Sequence, residues 1–132
     1  RSEWASREEA KQHFRSRRLF RHFTDRCLDD YMRHGLVGRP GHYRLRIDPE
    51  IEYRIYRTIP HGMGRQLPRL MVPAGFVGGE QSDVLRRVGM RAMRGPRFLK
   101  LRVAGGHLFP FEQPLAAADA VDELLVRLPA RA

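Results

Sequence analysis

Leu70-Met71-Val72-Pro73-Ala74-Gly75-Phe76-Val77, closed by Gly78-Gly79, is a nearly continuous apolar run of strand length, the pattern of a strand covered on both faces. Pro73 removes one ladder donor near its start. Toward the C-terminus, residues 84–93 place Leu85, Val88 and Ala92 on one helical stripe, Gly95-Pro96 ends that helix, and Phe98, Leu99, Leu101 and Val103 form a second strand. A glycine loop, Ala104-Gly105-Gly106, leads to His107, and a last helix over about residues 115–128 turns Ala117, Val121, Leu124, Leu125 and Leu128 to one buried face. Strand, helix, strand, helix with short joints is a βαβα unit, which requires two parallel strands and a crossover. The fold class read from this stretch is α/β, with residues 70–132 as its C-terminal core.

Residues 61–69, rich in Pro and Gly, read as a linker loop, and before it the periodicity becomes helical. Ser6-Arg7-Glu8-Glu9 is a capping box, so a helix starts there and runs toward Phe14. A second helix is expected over residues 17–23. Thr24 or Asp25 caps a third, with Cys27, Leu28 and Tyr31 close on one face and Gly35 as its left-handed C-terminal residue. Gly38-Arg39-Pro40-Gly41 is a turn, and Tyr43, Leu45 and Ile47 alternate with polar residues over one short extended segment. Asp48-Pro49-Glu50 supplies an N-cap, an N1 proline and a first-turn acid, predicting a helix over about 49–58 with Ile51 and Ile55 inward. Residues 1–60 therefore read as a helical segment distinct from the core.

The chain has 132 residues, 42% of them hydrophobic and 30% charged. One sizeable core is possible at this length, and no apolar run approaches the roughly 18 residues of a membrane span. The single cysteine, Cys27, closes no intrachain disulfide and supplies no multi-cysteine zinc site, and the basic N-terminus has no apolar stretch behind it. A reducing cytoplasm is the expected compartment. The net charge of +10 comes from 25 basic and 15 acidic residues, yet only Lys11 and Lys100 are lysines. Arginine abundant beside Ala, Gly, Pro and Val is the signature of a GC-rich coding sequence. The densest basic cluster, Arg15, Arg17, Arg18, Arg21 and Arg26, has Phe14, Phe20 and Phe23 between its members, a combination suited to phosphate contact and base stacking. Phenylalanines at helical spacing more often face a core.

Parallel neighbours carry their C-terminal ends to one edge of the sheet, about 5 Å apart, where open α/β sheets bind and react. Gly79-Glu80-Gln81-Ser82-Asp83 leaves the first strand there and Gly105-Gly106-His107 leaves the second. A carboxylate and an imidazole delivered to one edge form the acid–histidine pair that fixes the tautomer of a general base. By position alone, Asp83 reads equally as the N-cap of the next helix, a role open to Ser82 as well, and His107 as a loop histidine donating to a carbonyl. His13, His22, His34, His42 and His61 form no pair at metal-ligand spacing, and neither Gly62-Met63-Gly64 nor Gly78-Gly79 is a phosphate loop. No metal and no cofactor is implied. Cys27 beside Arg26 is a conceivable nucleophile, but its apolar stripe makes it a core residue.

Gly79-Glu80-Gln81-Ser82-Asp83-Val84-Leu85 and Gly105-Gly106-His107-Leu108-Phe109-Pro110-Phe111-Glu112-Gln113-Pro114 together resemble the C-terminal part of the α/β-hydrolase family, and nearly all of the chain falls within the resemblance. The first segment is similar to the one bearing that family's catalytic acid, the second to the loop bearing its histidine. Residues 1–60 resemble the helical cap of a bacterial subgroup, through Ser6-Arg7-Glu8-Glu9-Ala10, Tyr31-Met32-Arg33-His34-Gly35-Leu36 and Pro49-Glu50-Ile51-Glu52. By family order, nucleophile then acid then histidine, the resemblance implies Asp83 as catalytic acid, with Glu80 as the alternative, and His107 as catalytic base. It further implies hydrolysis of an ester or related bond in a hydrophobic small-molecule substrate, beneath a lid formed by residues 7–58. The aromatic residues Phe14, Phe20, Phe23, Tyr31 and Tyr53 exceed what short helices are expected to bury among themselves, which supports an apolar pocket roof.

The chain departs from the family at the nucleophile. Its serines are Ser2, Ser6, Ser16 and Ser82, none flanked as in Gly-x-Ser-x-Gly, and the strand and oxyanion loop that precede the acid in the family are not in this sequence. The chain by itself is therefore expected to be inactive, its site completed by an N-terminal half, present as another chain or a missing segment. Self-association through an unpaired strand is the alternative. A rival function from a different class is a small basic helical module that binds nucleic acid or an acidic protein.

Overall fold

The computed structural model describes residues 2–58, 62–88, 93–95 and 98–128, and its first helix begins at the capping box. Ser6 Oγ accepts from the Glu9 N–H at 3.0 Å and Glu9 Oε2 accepts from the Ala5 N–H at 2.7 Å, which starts α1 at Arg7–Arg15. Thr24 Oγ1 accepts from the Cys27 N–H at 3.2 Å and opens α2, Asp25–Gly35. Between them, residues 17–23 do not form the expected helix. They make successive turns, in which Phe20 N–H donates to Arg17 O at 3.0 Å and Phe23 N–H to Phe20 O at 3.1 Å. The turns double the chain back so that Phe14, Phe20 and Tyr31 meet, with ring centroids 4.9 to 5.5 Å apart; packing overrides a short helical propensity here.

Gly35 is not the left-handed cap that its position suggested. The chain leaves α2 through an extended Leu36, and positive φ falls instead at Gly38 (125°) and Gly41 (91°). Those two glycines shape a hairpin of β2, Leu36–Arg39, and β3, His42–Leu45, while β1, Glu3–Trp4, lies on the other side of β3. The result is an antiparallel sheet in the order β1-β3-β2, where a single short extended segment was expected. Trp4, Ala10, Phe14, Phe23, Leu28, Met32 and Leu36 are buried together, each large side chain contributing about 1.5–3 kcal/mol. The Arg7 guanidinium donates to the carbonyls of Met32, Arg33 and Leu36 at the end of α2 and lies 5.0 Å over the Tyr43 ring, satisfying carbonyls that α2 leaves open.

α3, Pro49–Arg57, starts at Asp48, whose Oδ1 accepts from the Glu50 N–H at 2.9 Å. Its expected inward face is a correction: Ile51 and Ile55 are 55% and 57% exposed, and α3 buries no residue. Local capping and the Arg54–Glu50 ion pair at 3.0 Å form this helix without a packed face.

These elements belong to a compact unit, Arg1–Ile59; a second spans Pro60–Ala132. In the second, part of the expected linker is structured: α4 covers Met63–Gln66 and a 3-10 turn Leu67–Arg69. The first strand starts later than its apolar run, since β4 is Ala74–Gly79, with Pro73 just before it where a missing N–H breaks no ladder bond. β5, Phe98–Val103, pairs with it in parallel, from Ala74↔Phe98 to Gly79↔Val103. α5 is Asp83–Val88; the remainder of the helix expected to residue 93 falls, over 89–92, outside the described residues. α6, Phe109–Glu112, is a short helix that the sequence pattern did not indicate.

α7, Pro114–Arg127, follows closely the expected last helix. Its buried stripe is Ala117, Ala120 and Leu124, whereas Val121 and Leu125, expected inward, are 47% and 66% exposed. The small stripe lets α7 approach the sheet: a Cβ on Gly75 would stand 2.8 Å from Leu124 Cδ1. Val103, Phe109, Ala117 and Ala120 form the core of this unit with Val77 and Leu101 against it. The protein is thus a mixed α/β chain with a small parallel two-stranded sheet.

Candidate active site at the carboxyl edge of the parallel pair

Because β4 and β5 run in register to Gly79 and Val103, the segments after them leave from one edge and meet. Glu80 N–H donates to Val103 O at 2.9 Å, and Gln81 N–H donates to Gly105 O at 3.0 Å. The approach is close enough that Gly79 has no room for a side chain; its Cβ would overlap the carbonyl oxygens of Gly106 and Gly105. Arg102, on β5, donates to Gly79 O at 2.8 Å and Glu80 O at 3.0 Å, which satisfies two carbonyls at the end of β4. Gly105, with φ of 124°, takes a backbone conformation open to glycine.

His107 is exposed at the tip of the second segment. Its Nδ1 lies 3.3 Å from Ser82 Oγ. Ser82 is the buried polar residue of this region, 1% exposed, and its Oγ also accepts from the Leu85 N–H at 3.3 Å, capping α5. Asp83, the next residue, carries Oδ1 against the Arg86 guanidinium one turn along α5. The two residues singled out in the sequence therefore sit at one edge, Asp83 as the first residue of α5 and His107 on the loop after β5, and the side chain beside the imidazole is that of Ser82. The sequence offers Ser82 only as an alternative helix cap; the i, i+3 spacing to Leu85 carries that role, while its contact with His107 depends on strand register. Glu80, the alternative acid, is exposed, its backbone N–H used in the pairing above. Nδ1 is thus the ring nitrogen with a protein partner, on a residue that is itself exposed.

Elsewhere the basic, aromatic cluster of the first unit resolves into structure. Phe14 and Phe23 are 8% and 4% exposed, and Arg15 donates to Phe23 O and Asp25 Oδ1, both at 2.6 Å. These phenylalanines present no free face for base stacking. Of the aromatic residues expected to exceed what the unit can bury, Phe14 and Phe23 are buried, Phe20 and Tyr31 are half-buried in ring contacts with the rest of the cluster, and Tyr53 is 54% exposed. Among the described residues no group of three or more His, Cys, Asp or Glu side chains is placed to hold a metal ion, and no helix is long and apolar enough to cross a membrane. Comparison with protein-family models, with curated proteins and with solved structures finds no match to this chain.

Proposed function

We propose that the chain is the C-terminal part of an α/β-fold hydrolase that acts on an ester or related bond of a hydrophobic small molecule. The observation that supports this reading is the parallel register, which brings the Gly79–Asp83 segment and the Gly105–His107 loop into hydrogen-bonded contact at one sheet edge. In this reading His107 takes the proton of a nucleophile through Nε2 and returns it to the leaving group, while a carboxylate at Nδ1 holds the ring and stabilises its cation. Asp83 is the assigned carboxylate. It lies one residue from the hydroxyl that now touches Nδ1, and reaching the ring requires it to turn from Arg86. The nucleophile and the oxyanion donors come from a sheet segment that precedes these strands or from a partner chain.

The test has two arms. In the 132-residue chain, nitrogen NMR of the His107 ring reports which nitrogen is protonated; the Nδ1–H tautomer is expected, and Asp83→Asn should shift it toward Nε2–H. With the nucleophile-bearing segment joined or co-expressed, nitrophenyl acyl esters should be cleaved and His107→Ala should lower kcat by about 10⁴-fold. A tautomer that responds to Ser82→Ala and not to Asp83→Asn removes Asp83 as the acid. Full turnover by His107→Ala removes the hydrolase reading.

A further inference from the structure

Gln81 and Glu112 hold the backbone just before His107. Gly105 N–H donates to Gln81 Oε1 at 2.7 Å, and the same residue's carbonyl accepts from the Gln81 N–H at 3.0 Å, so Gln81 clasps Gly105 with both its side chain and its backbone. Gly106 N–H donates to Glu112 Oε2 at 2.7 Å. The Glu112 carboxylate occupies space that side chains would otherwise take: a Cβ on Gly105 would stand 2.9 Å from Oε2, and one on Gly106 would stand 2.9 Å from Oε1. Two glycines in succession are therefore what admits the carboxylate. Glu112 reaches back from the last residue of α6, whose start is tied to the same loop by the Phe109 N–H donating to Gly106 O at 3.3 Å.

We propose that Glu112 and Gln81 are positioning residues for His107, fixing through the N–H groups of Gly106 and Gly105 the direction in which the loop presents its imidazole. Neither side chain touches the ring. Each acts on the peptide groups preceding it, so their loss should free the ring orientation while leaving β4, β5 and α7 in place. An ionised acceptor makes the stronger of the two bonds, so Glu112 carries more of the constraint, and the amide of Glu112→Gln keeps an acceptor oxygen at the same reach. The catalytic consequence rests on the hydrolase reading; the positioning itself does not.

The experiment compares Glu112→Ala, Glu112→Gln, Gln81→Leu and Gln81→Glu in the chain as it stands. The readouts are hydrogen exchange at the Gly105 and Gly106 amides and the side-chain rotamer of His107 by NMR coupling constants. Glu112→Ala and Gln81→Leu should speed exchange at Gly106 and Gly105 respectively and average the His107 rotamer, with amide exchange across β4 and β5 unchanged; Glu112→Gln and Gln81→Glu should restore a single rotamer. In the completed enzyme, Glu112→Ala should lower kcat by about 10²-fold, the cost of a misplacement near 1 Å, with KM within twofold. A single His107 rotamer retained in both Glu112→Ala and Gln81→Leu overturns the proposal, as does failure of Glu112→Gln to restore it. If Glu112→Ala does not fold, Gln81→Leu and Glu112→Gln decide the same question. An averaged rotamer in these variants, together with no esterase activity in the completed enzyme, would uphold the positioning and count against the hydrolase reading alone.

Discussion

Tyr31 shows how one side chain takes its chemistry from where the fold puts it. Its ring lies among Phe14 and Phe20, and burial raises its hydroxyl above the ordinary tyrosine value of 10.0, with Glu52 acting in the same direction. The folded state thus holds the phenol proton more tightly than the unfolded chain does. Its contribution to stability is complete below the ordinary value and is lost as pH rises through the raised one. Denaturant melts of the wild-type chain should show stability falling above pH 10.0, and Tyr31→Phe should flatten that fall; an equally steep decline in the variant would assign it to other groups. Residue identity carried little of this. Tyr31 was legible as a helix-face residue near Leu28, but one of its aromatic neighbours, Phe20, comes from turns that no periodicity announces, and its contact with Phe14 on α1 is made only when the two helices pack.

Single elements divide into those formed by local chemistry and those formed by packing. α3 is of the first kind, capped by Asp48, opened by Pro49 and laced by Glu50–Arg54, yet all of its residues are exposed. Asp48→Ala should therefore cost about 1 kcal/mol of local helix stability, whereas Ile51→Gln and Ile55→Gln should each stay within about 0.5 kcal/mol. Thermal melts of the three variants check this; a loss of 2 kcal/mol or more at either isoleucine, on the scale of a core truncation, would mean the helix face is covered in solution. The helices that open with Ser6, Thr24 and Asp48 were legible because a cap is a contact between residues two or three positions apart. Of the strands in this unit only β3 was legible, in the alternation of Tyr43 and Leu45; β1 and β2 were not, since a pair as short as Glu3–Trp4 has no period to read and gains its partners from residues some forty positions away.

Across the whole molecule, the parallel pair is the feature with the largest unmet demand. β4 and β5 are hydrogen-bonded to each other, and neither has another strand beside it among the described residues. Two-stranded sheets are marginal, and parallel sheets are normally covered and flanked. The outer edges present peptide groups, and β4 keeps Ala74, Phe76 and Val77 only half-buried, a template for pairing with another chain. Light scattering of the purified chain should give a mass above the monomer or a concentration-dependent mass, and supplying a nucleophile-bearing sheet segment should replace self-association with a defined complex. A monodisperse monomer with full amide protection along Ala74–Gly79 would show that the edge needs no partner.

The α/β class, the parallel order of the last two strands, the course of α7 and the placement of Asp83 and His107 at one sheet edge all follow from the order of elements along the chain, because a short crossover admits few topologies. Local contacts are written in local sequence. The tertiary structure alone decided that Ser82 rather than a carboxylate lies against His107 Nδ1, that Gln81 and Glu112 hold the two glycines before it, and that Gly79 must be bare. The contacts of Ser82, Gln81 and Gly79 cross between the two strands, and a one-residue slip of register would replace each of those partners, while the Gly106–Glu112 bond depends on how the chain turns into α6 after β5.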